Sequence, residues 1–206
     1  MVEQAVPDGF QFLEVIGEAA SYKTSCLIQI AAHCVGTVSH GGLESPCVFV
    51  DCDRKLSLGR LAKACGSEAR KRMFVLHCKS VPELLTDLEL LIKTYGIRLI
   101  VLDGMLSLFW INALTEPLTA GYSVSLPQAL LAVAREQGIA IAASRALLSR
   151  GECVSKTWLA GVTHRLYVSP SESCRVCVVE KNDQVTSERL VFQGTLHQMT
   201  GHDDFA

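Results

Sequence analysis

From residue 17 to residue 24 the chain reads Gly17-Glu18-Ala19-Ala20-Ser21-Tyr22-Lys23-Thr24. Residue types at this spacing can hold phosphate. The phosphate-loop pattern is G-x-x-x-x-G-K-[ST], met at every fixed position except the second glycine, which is Tyr22. Its chemistry uses backbone N–H groups at a helix N-terminus to face phosphate oxygens, a lysine for charge and a hydroxyl for Mg²⁺. Asp103, closing the apolar run Leu99–Asp103, stands where a nucleotide enzyme holds Mg²⁺ through water. Thr24 and Asp103 are thus the expected Mg²⁺ residues, and residues 17–24 with Asp103 the expected ATP residues. The alternative is an ordinary strand-to-helix turn, with Lys23 solvated and Asp103 capping a loop. Tyr22 opposes nucleotide, because a glycine before the lysine lets backbone approach phosphate without a Cβ. The site is therefore expected to be a degenerate one, impaired in binding and hydrolysis of ATP.

Other residues carry weaker signals. Cys174-Arg-Val-Cys177 is a lone C-x2-C, whereas a structural zinc site needs four ligands. The histidines show no metal-ligand or triad spacing, and His33 and His77 are expected at the edge of the core. Arg54, Lys55, Arg60, Lys63, Arg70, Lys71 and Arg72 set seven positive charges against Glu68 within nineteen residues. Such a run is a solvated helix face, or else a surface for an acidic partner or a phosphate backbone.

These side chains must be positioned by alternating strands and helices. Apolar runs predict strands at Phe12–Ile16, Cys47–Asp51, Met73–His77, Leu99–Asp103 and Ile139–Ala143. Thr24–Val35 carries Leu27, Ile30, Ala31 and Cys34 at the spacing of one buried helical stripe. Leu58–Cys65 is a second helix stopped by Gly66, and Val38–Pro46 a loop. Pro82 opens a helix that Gly96 ends, as proline's fixed φ and glycine's tolerance of positive φ favour. A further helix runs from Ser125 and Pro127 to Gly138. Leu99–Asp103 is apolar on both faces and so central in a parallel sheet. Beyond Arg150, strand-like runs at Val162–Val168, Arg175–Glu180 and Arg189–Phe192 suggest antiparallel additions at one edge. Strand–helix alternation implies right-handed crossovers and a doubly wound α/β sheet, which binds ligands at the carboxyl ends of its strands.

Composition sets the remaining bounds. The chain has 206 residues, 49% hydrophobic and 19% charged, with net charge −2. That excludes disorder and any polycationic mode of nucleic-acid binding by the chain as a whole. No run reaches the roughly 18 apolar residues of a membrane span, and the N-terminus lacks the form of a secretory signal. Nine cysteines without a regular framework read as reduced thiols, most of them small core residues. The division expected is one core over residues 1–193 and a C-terminal tail over 194–206.

Three segments, Val48–Leu61, Leu99–Ile111 and Lys156–Ser169, resemble the eukaryotic RecA-type recombinase paralogs. The likeness extends over roughly residues 10–185. It implies a RecA-like phosphate-loop core, mostly parallel with an antiparallel C-terminal edge and without an N-terminal helical domain. It further implies a nuclear accessory protein of homologous recombination and DNA repair. Its partners would be another recombinase paralog subunit and the strand-exchange recombinase, on single-stranded DNA through the complex and on no membrane. Asp53 matches the family's water-activating acid, usually glutamate and one methylene longer; it either serves as a weak general base or caps the following helix. Arg145, Arg150, Lys156 and Arg165 fall where the family contacts DNA. Ser144 and Arg145 replace the family's γ-phosphate sensor, and the loop from Ala146 to Ser155 is short. The apolar segment Met105–Leu114 is the expected partner-facing surface, or is buried within the domain. Two further readings are an active small phosphate-loop ATPase and a stand-alone single-strand DNA binder.

Overall fold

A computed structural model of the chain describes residues 11–77, 80–107, 122–147, 156–169, 175–181 and 184–192. The apolar runs form strands β1 (Phe12–Gly17), β2 (Cys47–Asp51), β3 (Met73–Leu76), β4 (Leu99–Asp103), β5 (Ala140–Ala146) and β6 (His164–Ser169). Helices α1 (Lys23–Val35), α2 (Leu58–Ala69), α3 (Val81–Tyr95), α4 (Tyr122–Gln137) and a short α5 (Lys156–Gly161) connect them.

Local chemistry sets several of the helix ends. Ser80 accepts a hydrogen bond from the Glu83 N–H at the start of α3, with Pro82 in its first turn. Gly96 closes that helix in the left-handed conformation. Within α2, Gly66 has φ +70° and ψ 174°, so regular helix stops where the sequence places its stop.

The strand order is β3-β2-β4-β5-β1-β6, all parallel. Beyond β6, strands β7 (Arg175–Lys181) and β8 (Gln184–Phe192) continue the sheet in antiparallel register. The segment expected to begin the antiparallel additions, Val162–Val168, instead supplies β6, a sixth parallel strand against β1. The reason is a crossover: the stretch between β5 and β6 is long enough for one and carries α5.

The sheet is buried on both faces. In β4, Ile100 and Leu102 enter one apolar cluster with α3 and α4, while Leu99 and Val101 enter another with α1 and α2. Strand β2 divides likewise, Val48 and Val50 against Cys47 and Phe49. Helices after β1 and β2 therefore cover one face and those after β3 and β4 the other. Where they part, at the carboxyl ends of β1, β4 and β5, a crevice is expected. No helix among the described residues is long and apolar enough to cross a membrane.

Candidate functional site

The β1–α1 turn lies at the carboxyl end of its strand, between β5 and β6. Gly17 closes β1 in a tight place: a Cβ there would overlap the Val168 carbonyl oxygen and the Ser21 hydroxyl. Ala20 and Tyr22 both have left-handed backbone, Tyr22 at φ 64° and ψ 19° immediately before α1. The position of the missing glycine thus keeps a conformation that glycine adopts freely and that costs an L-residue about 1–2 kcal/mol. Tyr22 itself is 44% exposed. Replacing it with glycine is expected to raise stability by about 1 kcal/mol in urea unfolding, by relief of this strain.

Lys23 folds back over the turn. Its ammonium donates to the carbonyl oxygens of Gly17, at 2.9 Å, and Glu18, and lies 3.3 Å from the Ser21 hydroxyl. Partial burial pushes its pKa below the ordinary lysine value, against the opposing pull of Asp103 and Asp53.

The carboxylates arrive from neighbouring strands. Asp103, at the end of β4, accepts hydrogen bonds from Ser144 on β5, at 2.6 Å, and from Thr24 in the first turn of α1. Burial lifts its carboxyl above the usual range; the two hydrogen bonds oppose that lift, and Asp53 and Asp51 add to it. Ser144 also accepts from the Gly104 N–H at 2.9 Å, tying the turn after β4 to β5. Asp53 contacts the Ser107 hydroxyl and lies 3.2 Å from the Lys55 ammonium. Its carboxyl packs on Gly104, whose φ is +73° and where a Cβ would overlap it.

Lys23, Thr24, Asp103 and Asp53 are therefore gathered at one end of the sheet. Asp53 does not cap α2: Ser57 does so, and Asp51 accepts from the backbone N–H groups of Lys55 and Leu56. Ser144 and Arg145 lie within β5, not in a loop after it, because the strand runs three residues beyond its predicted end. Asp51 and Ser144 were missed as site-builders; the signal for both was a polar residue in a strand apolar on both faces.

Another polar group is buried in β1. Glu14 is fully buried and accepts from Arg145 Nε at 2.7 Å and Trp158 Nε1 at 3.0 Å, while Arg165 Nε lies 3.5 Å away. Trp158 stands edge-on to Phe12, ring centroids 4.5 Å apart. Arg145, expected to face DNA, is only 6% exposed and turned inward to Glu14, and Arg165 is held by the same carboxylate. A lone acid in an apolar strand demands such cationic partners. Lys156 is exposed, and Arg150 lies outside the described residues.

Met105, in the expected partner-facing segment, is buried beneath β4; residues 108–114 lie outside the described residues. His33 is exposed, not at the core edge, and His77 is half-exposed, 3.5 Å from Asp51. Of the cysteines that the apolar runs place in the core, Cys34 and Cys47 are buried, Cys26 is half-buried and Cys78 lies outside the described residues; Cys52 and Cys65 are buried as well. Among the described residues, no three His, Cys, Asp or Glu side chains are arranged to hold a metal ion by themselves.

No family profile matches the chain. It is similar to the DNA repair protein XRCC2 of Mus musculus. The two are 29% identical over 133 residues, 57% of this chain and 46% of the mouse protein. The chain thus spans about half the length of this relative. This likeness bears out the resemblance to the recombinase paralogs drawn from the sequence.

Proposed function

We propose that the chain is a RecA-like recombinase paralog that serves homologous-recombination DNA repair in the nucleus by assembling with other subunits. Its own phosphate loop is a degenerate ATP site. The observation that carries this reading is the joining of Lys23, Thr24 and Asp103 at the β1–α1 turn, with Tyr22 in the place and conformation of a glycine. A RecA-like domain places nucleotide between neighbours, so a subunit with an obstructed site still offers an interface that a partner's ATP can complete. The partners are another recombinase paralog subunit and the strand-exchange recombinase, and single-stranded DNA is reached through the complex.

Where ATP does enter, the hydroxyl of Thr24 and the carboxylate of Asp103 are the hard oxygen donors that suit Mg²⁺. Lys23 would then leave the loop carbonyls for phosphate. Mg²⁺ there would neutralise phosphate charge and orient the oxygens. Asp53 is a poor general base, since Lys55 and Ser107 both occupy its oxygens. A second reading, an active small ATPase, is favoured by the intact Thr24–Asp103–Ser144 hydrogen bonding.

Co-purification of the tagged full chain from nuclear extract, with bound subunits identified by mass, tests the proposal. The expected result is a RecA-like partner subunit and the strand-exchange recombinase in the same complex. A lone chain that turns over ATP unaided would contradict it and favour the second reading.

A further inference from the structure

The basic run over residues 54–72, which spans α2 and its flanks, is not uniformly neutralised. Lys55 pairs with Asp53 and Lys71 with Glu68. The arginines do otherwise. Arg60 donates to the Ser25 hydroxyl at 2.6 Å, Arg70 to the Ala62 carbonyl at 3.2 Å and Arg72 to the Val35 carbonyl at 3.1 Å. Each of these hydrogen-bond partners is a neutral oxygen, so the contact fixes the side chain without neutralising it; Glu68, already paired with Lys71, is the carboxylate that also attracts Arg72. A guanidinium has five N–H donors, so each arginine keeps others for an anion. Arg54 and Lys63 are exposed beside them.

Two kinds of anionic partner fit a positive surface, and the surroundings choose between them. The centres of protein interfaces are enriched in aromatic residues and depleted of charged ones. Residues 54–72 contain no aromatic, and Leu58 is the large apolar side chain exposed there. The same lack removes any stacking platform for single-strand bases. What remains is a set of held and exposed cations along residues 54–72, suited to closely spaced phosphates and indifferent to sequence.

We infer that the basic surface of α2 and its flanking residues, through Arg54, Arg60, Lys63, Arg70 and Arg72, binds the backbone of duplex DNA. This deepens the reading above, on which it rests for its setting. It relocates direct DNA contact away from Arg145 and Arg165, which Glu14 holds inside the domain.

The test uses the full chain alone with a fluorescent 20-base-pair duplex of random sequence, so its outcome is independent of whether partner subunits co-purify. Five phosphate contacts give a log–log salt slope of about −4.5, so affinity should fall about 10²–10³-fold between 50 and 200 mM NaCl. The double variant Arg54→Glu/Lys63→Glu should bind at least about tenfold more weakly, with the slope reduced by about 2. Lys93→Glu, on α3, should bind as wild type does. No binding at 50 mM NaCl would overturn the inference, as would full affinity in a double variant whose circular dichroism is native. Displacement by polyglutamate as effective as by unlabelled duplex would overturn it too, in favour of an acidic protein partner.

Discussion

Replacing Glu14 with leucine should lower the free energy of unfolding by about 3–5 kcal/mol, enough to bring a domain of this size close to its stability limit. The carboxylate is fully buried and serves Arg145, Arg165 and the Trp158 indole at once. Its removal takes the carboxylate from beside a buried guanidinium, and the uncompensated part of that group's desolvation cost dominates the loss. The double variant Glu14→Leu/Arg145→Met should recover much of the loss, because an apolar pair of similar volume is often no worse than a buried ion pair. Full recovery is not expected, since Trp158 and Arg165 still lose a partner. Urea unfolding of the three proteins decides the matter. A Glu14→Leu protein with the wild-type midpoint would show that the network is incidental.

The second large effect is expected at Gly104. Alanine there meets two obstacles: a φ of +73°, costing an L-residue about 1–2 kcal/mol, and the Asp53 carboxyl, which its Cβ would overlap. Together they predict destabilisation by about 2–4 kcal/mol and displacement of Asp53 from beside Asp103. The two obstacles separate in a double-mutant cycle. Adding Asp53→Ala should relieve the steric part and leave the backbone part, so the double variant should be more stable than the sum of the single losses predicts. Strict additivity would mean that Asp53 and Gly104 do not press on one another.

Much of this arrangement was legible from residue types. Strands β2 and β4 begin and end where their apolar runs do, because residues buried on both faces leave an unbroken hydrophobic signal. Gly66 and Gly96 mark helix ends because their positive φ is cheap for glycine alone. The gathering of Lys23, Thr24 and Asp103 followed from one spacing rule and one strand terminus.

The failures have equally local causes. Helix α5 has six residues, too few for a helical period to register, so β6 looked like an antiparallel neighbour instead of the end of a crossover. Arg145 and Arg165 were read as surface cations because sequence shows charge and not its partner. The missing information was Glu14, more than a hundred residues away in the chain. Ser144 was read as a lost phosphate sensor, yet its hydroxyl orients Asp103 and joins β4 to β5. Small polar side chains in a buried strand leave no periodic trace, so their role waits on the fold.

The decisive measurement is calorimetric titration of ATP with Mg²⁺ into wild type, Tyr22→Gly and Tyr22→Gly/Lys23→Ala. If the tyrosine side chain is what obstructs an otherwise assembled cradle, wild type binds weakly and Tyr22→Gly binds at least about tenfold more tightly, a gain of about 1.4 kcal/mol. Lys23→Ala should abolish that gain. Equal affinity in wild type and Tyr22→Gly, or tight wild-type binding with steady release of ADP, would contradict the claim that this site has ceded its chemistry to a partner.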